Sequence, residues 1–299
     1  MNLIDAHHHL WDLDAVRYPW LLEHGKQRFF GDPTPIQKNY LVDDFKYDAA
    51  TFNVLGSVHI QVGAALEDEL AETAWQQRNA ETSGLPSAIV AACDLTRRDL
   101  HEMLDAHAEH DRLRGIRQIV GRADDEDAVT GTQSLLTDAA WLTGLKVLAA
   151  RSLSFDLQLT PRMMLTAAKT FAEVPSLPVA LCHAGSPMDF SVNGIAAWKD
   201  GMRALSEQPQ IHCKISGFGM FNHHWTVSDI APLVEFCIET FGADRCMFGS
   251  NFPVDKLYRD YAGVWAAYAE IVAGLSVETR SALFVSNANW FYRLGLTLD

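Results

Sequence analysis

The feature that most limits the folds open to this chain is a strand-then-helix rhythm that runs from end to end. Runs rich in β-branched and apolar residues at 53–62, 87–95, 113–120, 152–159, 178–183, 210–216 and 245–250 alternate with helical stretches at 66–83, 97–109, 134–143, 161–173, 192–206, 228–240 and 258–275. Val42-Asp-Asp44 can cap a further helix through Ala50, and Pro161 suits the first turn of the helix it opens. With the opening run 3–11 the chain has eight strand units. Regular βα alternation implies a parallel sheet, and at eight units the sheet closes as a (β/α)8 TIM barrel. An open doubly wound sheet is the runner-up, but no glycine-rich phosphate turn follows the first strand. The 299 residues, 48% hydrophobic, suffice for a single barrel domain over 1–299, since such barrels commonly take about 250 residues.

Barrel enzymes keep their chemistry at the C-terminal ends of the strands, so strand-end and inward polar residues are the candidates. The opening run reads Leu3-Ile-Asp-Ala-His-His-His-Leu-Trp11. Alternate side chains of a strand share a face, which puts Asp5, His7 and His9 on one side and Ile4, Ala6 and His8 on the other. Two imidazoles at i and i+2 lie roughly 7 Å apart and can converge on one metal ion or one carbonyl. The same period places His59 and Gln61 inward on the second strand, Arg117 near the end of the fourth, Ser154, Asp156 and Gln158 on the fifth, and His212, Lys214 and Ser216 on the seventh. His59 and His212 also read as satisfied core histidines, and Gln61 as a loop tie. Arg117 and Lys214 are cations that need a partner once buried: substrate oxygens, or an internal pairing with Asp5 or Asp156.

Segment 12–39 is long, irregular and aromatic, with Tyr18, Pro19, Trp20, Phe29 and Phe30. A loop of that length inside a compact domain suggests a lid or a rim plug. Asp124 to Asp127 is the densest charge run and reads as a solvated loop.

A net charge of -14 argues against nucleic acid and against an anionic membrane surface. It leaves room for a locally positive site. Five cysteines without a C-x-x-C pair suggest buried free thiols. No apolar run reaches the roughly 20 residues of a membrane span, and no signal peptide precedes Asp5, so a cytoplasmic protein is expected. Trp290 and Phe291 are aromatics that permit a homodimer if exposed.

Three motifs carry a resemblance to a known family. Asp5-x-His7-x-His9-x-Trp11 opens the chain, His183 ends a strand near its middle, and Phe248-Gly-Ser-x-x-Pro253 comes late. Together they resemble the amidohydrolase superfamily, in its amidohydrolase 2 family. More narrowly they resemble the lactonase-like branch that includes fuconolactonase, sulfomuconolactonase and pyrone dicarboxylate lactonase. Tyr18-Pro-Trp-Leu21 resembles that branch too, and the likeness extends from Ile4 to the 287–292 segment.

The resemblance implies that His7, His9 and His183 bind a metal or polarise a carbonyl. Zinc takes three or four N, O or S ligands, and these histidines would supply three. Arg117 stands at the end of the fourth strand, where no carbamylated lysine of a binuclear site is evident. Some relatives with this simplified set work without metal. The expected cofactor is therefore none, or one divalent ion with zinc first among candidates.

One position departs from the pattern. Relatives carry an aspartate where this chain has Asn251, and use it as the general base. Asparagine accepts no proton at neutral pH, and general-base catalysis contributes roughly 10²- to 10⁴-fold. Asp255 is the nearest replacement, its alternative being a helix cap; His223 and His224 lie in a loop as further histidines. The resemblance thus implies a hydrolase that opens a small sugar-acid or carboxylated lactone. In that role His7, His9 and His183 act on the carbonyl, Arg117 and Lys214 bind anionic oxygens, Gln61 and Asn251 orient substrate or water, and Trp11 and His59 line the substrate. A metal-dependent decarboxylase of an unsaturated acid and a catalytically weakened binding barrel are the alternatives.

Overall fold

The computed structural model describes residues 1–123, 126–127 and 130–297. Eight parallel strands pair in sequence order: β1 (Asn2–His8), β2 (Asn53–Ile60), β3 (Ala88–Ala92), β4 (Leu113–Ile119), β5 (Ser154–Gln158), β6 (Val179–Leu181), β7 (Ile211–Ile215) and β8 (Cys246–Phe248). The last strand returns to the first. Asn251 N donates to His7 O and His9 N to Phe252 O, each at 2.7 Å. A side chain at Gly249 would put its Cβ 2.8 Å from the His7 backbone nitrogen, so the seam between β8 and β1 closes only with glycine there.

Helices Glu69–Ser83, Leu100–Ala108, Met164–Ala172, Val192–Ser206, Val227–Phe241 and Tyr261–Ile271 follow strands much as the alternation predicts. The expected helix 134–143 is displaced: a 3-10 segment Thr132–Thr137 comes first, and the α-helix runs Ala139–Ala150 with Asp138 accepting from Ala140 N at 2.7 Å as its cap. Beyond β8 the chain adds elements that the alternation does not announce. Helices Val277–Ser281 and Asn287–Phe291, joined by a π-helical turn Ala282–Ser286, bring Tyr292 against Asp156. Between strands and helices the core is apolar, with Trp141, Trp198, Trp265, Phe155 and Phe171 fully buried, each aromatic or branched side chain contributing about 1.5–3 kcal/mol by leaving water.

All five cysteines are free and buried. No helix among the described residues is long and apolar enough to cross a membrane. Trp290 is exposed whereas Phe291 is buried, so the C-terminal aromatic pair is not one exposed surface as expected. Phe291 instead packs on His212, ring centroids 4.9 Å apart.

Candidate active site

Four strand ends meet at one rim. His7 and His9 arrive from β1, with ring centroids 5.1 Å apart, and His183 from beyond β6, 4.4 Å from His7. The plain strand geometry expected for the opening motif does not hold throughout, because the β1–β2 register shifts between Asp5 and His8 and the strand stops before His9. The shift separates Asp5 from its expected companions. Its carboxylate accepts from Ser250 N at 2.9 Å, His7 N at 3.1 Å and the Tyr261 hydroxyl at 3.1 Å, bracing the seam. Burial pushes the Asp5 carboxyl up to about 6.

His183 is aimed by unusual backbone. His183, Ala184, Gly185 and Ser186 all have φ between +50° and +67°, a region that costs non-glycine residues of order 1–3 kcal/mol each and persists only when the surroundings impose it. Its Nδ1 meets Ser216 Oγ at 3.0 Å. A Cβ on Gly217 would stand 2.6 Å from that nitrogen, so glycine leaves the imidazole its place.

Asn251 also has a left-handed backbone, φ +57°, which asparagine tolerates better than most residues. Its Oδ1 lies 3.4 Å from His9 Nε2, and its Nδ2 donates to Asp255 Oδ2 at 2.5 Å. The other Asp255 oxygen accepts from Gly219 N at 2.9 Å. Asp255 therefore neither caps a helix nor reaches the cavity described below; it holds Asn251. Burial pushes its carboxyl up to about 7. His9 Nδ1 lies 2.7 Å from Ile60 O. A carbonyl only accepts, so Nδ1 carries the proton and the neutral ring presents an unprotonated Nε2 toward Asn251. Burial holds His7, His9 and His183 well below the usual imidazole range, with the positive charges of Lys214 and Arg117 adding to the effect.

These groups open onto a cavity of about 270 Å³. Its walls include His9, Trp11, Arg117, Gln158, His183 and Asn251, and segment 12–39 covers it with Pro19, Trp20, Arg28, Phe29 and Phe30. Trp20 Nε1 donates to Val62 O at 2.7 Å, and the Tyr258 hydroxyl donates to Phe30 O, fastening the cover to the rim. Gly31 has to be glycine, since a Cβ there would overlap the Tyr258 oxygen. His223 stacks on Tyr258, centroids 4.0 Å apart, on the outside of this clasp.

Arg117 donates to Gln158 Oε1 at 3.2 Å and to Gln61 O. Among the described residues no carboxylate lies within ion-pair distance of it. Gln61 thus reaches Arg117 through its backbone and is not among the described walls. Two expected substrate residues are committed elsewhere. Lys214, fully buried, pairs with Asp156, whose two oxygens also accept from the Tyr292 hydroxyl at 3.1 and 3.0 Å. His59 accepts from Leu10 N at 3.2 Å and turns its Nε2 to Glu72, 3.6 Å away, with neither side chain among the described cavity walls. Burial, with Arg117 adding, takes His59 down to about 3.

Three charged wall residues escaped sequence reasoning: Arg28, Arg122 and Glu126. Arg122 follows the β4 end so closely that strand-end position was a usable signal; Arg28 and Glu126 offered none. Glu126 also corrects the reading of 124–127 as a solvated loop. Asp124 and Asp125 lie outside the described residues, but Glu126 faces the cavity and the buried Asp127 accepts from Arg122 N at 2.9 Å.

The three histidines expected to hold a metal lie side by side, with His7 between His9 and His183. No group of three His, Cys, Asp or Glu side chains among the described residues is arranged to hold a metal ion. His9 Nδ1 is engaged with Ile60 and His183 Nδ1 with Ser216, while both His7 ring nitrogens are buried without a hydrogen-bond partner. Ties at Nδ1 leave Nε2 of His9 and His183 free, the orientation that metal-binding histidines adopt, so the chemistry of the three rings fits a divalent ion although they are not drawn together as a ligand set.

Comparison with known proteins agrees with this architecture. An uncharacterised protein of Sinorhizobium fredii, y4mH, is 40% identical, covering 98% of each chain. An L-fucono-1,5-lactonase of Burkholderia ambifaria is 27% identical over 97% of this chain and 95% of its own. A crystal structure of an amidohydrolase from Burkholderia multivorans with bound HEPES superposes with a TM-score of 0.83 at 25% identity, covering 98% of this chain and 99% of the other. A second crystal form carries bound zinc, with a TM-score of 0.82 at 25% identity and the same coverage. The amidohydrolase family model matches residues 4–294, and the chain belongs to that family.

Proposed function

We propose that this cavity is the active site of a hydrolase that opens a small sugar-acid or carboxylated lactone. The observation that carries the proposal is the convergence, in one cavity, of the Arg117 guanidinium, bonded to neutral acceptors but to no carboxylate among the described residues, with His183, His9 and an Asn251 held by Asp255. A lactone carbonyl oxygen lying between Arg117 and His183 receives charge-assisted hydrogen bonds, which strengthen as the oxygen becomes an anion. When Ser216 donates its hydroxyl to His183 Nδ1, the ring proton sits on Nε2 and points at that oxygen. His9, fixed with its proton on Nδ1, takes a proton from the attacking water at Nε2. The new Nε2–H then has Asn251 Oδ1 to donate to. Water adds to the carbonyl carbon, the ring C–O bond breaks, and the leaving alkoxide takes the proton from His9 to give the hydroxy acid. Asn251 thus acts as the acceptor that steadies a protonated His9, and Asp255 acts through Asn251. Trp20, Phe29 and Phe30 line one side of the cavity with apolar surface and reduce its exposure to bulk water.

These steps use only the protein's own groups; a divalent ion held by His7, His9 and His183 would supply further polarisation of the carbonyl. The test is a panel of aldonolactones and carboxylated lactones, followed by proton release, using protein whose metal content is measured before and after chelation. Turnover of at least one lactone, retained after chelation, is expected. Activity lost on chelation and restored by zinc overturns the metal-free steps, and inertness toward the whole panel overturns the hydrolase.

A further inference from the structure

We infer that Glu72 is a positioning residue for the reaction proposed above. From helix Glu69–Ser83, and not itself among the described cavity walls, its carboxylate holds the peptide unit that fixes Arg117 and, through His59, the backbone that carries His9. The part that concerns His9 rests on the lactone-hydrolase reading; the part that concerns Arg117 is read from binding alone.

The helix itself is the first sign. A helix laid against a barrel ordinarily buries an apolar stripe, yet this one buries Glu69, Glu72, Thr73 and Gln76 beside Trp75 and Ala80. Glutamate is almost never fully buried without a partner, and Glu72 is 2% exposed. Among the described residues no lysine or arginine lies within ion-pair distance of it, and His59 at 3.6 Å is its one ionisable neighbour in that range.

What Glu72 does hold is a peptide. Its Oε1 accepts from Val62 N at 2.9 Å, while the carbonyl of the same peptide unit, Gln61 O, accepts from Arg117 Nη2. That unit stands between a carboxylate and a guanidinium, and hydrogen bonds in such a chain polarise one another, which makes Gln61 O the stronger acceptor. A carboxylate in direct contact would occupy the guanidinium fork in a two-pronged pair. Set one peptide away, Glu72 supplies the counter-charge that a buried cation requires and leaves Arg117 without a carboxylate on the cavity wall it lines. Burial depresses Arg117, which Cys182, Asp156 and Glu72 oppose; burial pushes Glu72 up to about 7, which Arg117 opposes in turn.

The same carboxylate serves the base. Leu10 N donates to His59 Nδ1 at 3.2 Å, so the His59 proton sits on Nε2, the atom that faces Glu72 Oε1. Their separation of 3.6 Å is longer than a hydrogen bond and acts as an electrostatic hold on the ring. Gln76, one turn on from Glu72, donates to Leu10 O at 3.0 Å. Both peptide units that flank Leu10, directly after His9, are thus tethered toward one helix face. The His9 ring is itself tied at Nδ1 to Ile60 O, one residue before the held peptide.

Two conservative substitutions separate reach from charge. Glu72→Gln keeps an oxygen at the same reach and removes the charge, whereas Glu72→Asp keeps the charge and withdraws it by one methylene. Each is made alone and together with Arg117→Met, and binding of the probes benzoate and benzamide is read by isothermal titration calorimetry. Wild type is expected to prefer benzoate. Glu72→Asp should lose at least about fivefold in benzoate affinity, the worth of one hydrogen bond, with benzamide changed far less. Glu72→Gln should bind benzoate at least as tightly as wild type. In the Arg117→Met background Glu72→Asp should change benzoate binding by less than about twofold, because it acts through Arg117. On a lactone that is turned over, kcat should fall at least about tenfold in Glu72→Asp and stay within about threefold in Glu72→Gln. A purely structural Glu72 would shift the denaturant midpoint and leave benzoate binding by the folded protein unchanged, and that result overturns the inference. So do equal losses in both variants, a loss undiminished by Arg117→Met, or a wild type with no preference for benzoate. An unchanged kcat in Glu72→Asp overturns the part that concerns His9. An inert lactone panel with the benzoate results intact sinks the hydrolase alone, whereas lactone turnover with benzoate binding indifferent to Glu72 sinks this inference alone.

Discussion

Asn251 donates its side-chain amide to the Asp255 carboxylate across 2.5 Å, which turns the amide oxygen toward His9. Asp255→Ala frees that amide to rotate, and kcat should fall by roughly 10²-fold with KM changed little, within the span of general-base effects. Asp255→Asn should retain more activity than the alanine variant. Asn251→Asp would place two carboxylates in contact, where one stays protonated, and should not raise turnover. A tenfold gain in Asn251→Asp would mean that position 251 itself wants the proton acceptor.

Arg117 has two neutral acceptors and no carboxylate within ion-pair distance among the described residues. Arg117→Met should weaken an anionic ligand by about 1.5–3 kcal/mol and an uncharged analogue much less. Equal losses in titrations of both ligands would assign Arg117 a purely structural role.

Lys214 behaves differently because its partner is internal. Removing one member of a buried ion pair strands the other, and Lys214→Met should cost about 3–5 kcal/mol of stability, read from denaturant unfolding. A variant of near wild-type stability with a large KM increase would return Lys214 to the substrate.

Acid should destabilise the fold early. Burial holds His7, His8, His9, His59, His107, His183 and His212 below their ordinary range. Below pH 6.5 the unfolded chain takes up protons on these rings that the folded chain refuses, so their stability is present above 6.5 and lost as pH falls. Asp5, Glu69, Glu72 and Asp255, raised by burial to about 6, 7, 7 and 7, work in the opposite sense between those values and 4, since there the folded state binds their protons and the unfolded state does not. Seven groups against four leave a net loss on acidification, steeper below about pH 4 when the unfolded carboxylates protonate as well. His8 stacks on Phe45 at 4.4 Å with both ring nitrogens buried and unpartnered. His8→Phe should therefore gain stability over wild type by about 1.4 kcal/mol per pH unit below 6.5, the slope of one proton. Parallel pH profiles for the two proteins would show that His8 finds a partner the structure does not display.

Much of this was legible in the sequence because a barrel converts chain order into position. Each strand announces itself through its own apolar and β-branched run, and eight in alternation with helices pair in order. Their C-terminal ends must then share one rim, which is why His9, Arg117, His183 and Asn251 meet although they are far apart in the chain. Period-two alternation, however, tells which face a side chain takes and not how deep along the axis it lies. Lys214, in the middle of β7, sits at the level of Asp156 and Tyr292, and only the tertiary packing chose that pairing over a substrate. Register shifts are similarly hidden, so the break between Asp5 and His8 redirected Asp5 to the seam. Loops have no period at all. The sequence alone determined the barrel, the family and the rim histidines, through repeated local patterns. The arrival of Arg122, Arg28 and Glu126 on the cavity wall and the tie from Asp255 to Asn251 were decided by tertiary structure, because each depends on where an aperiodic segment comes to rest against strands distant in sequence.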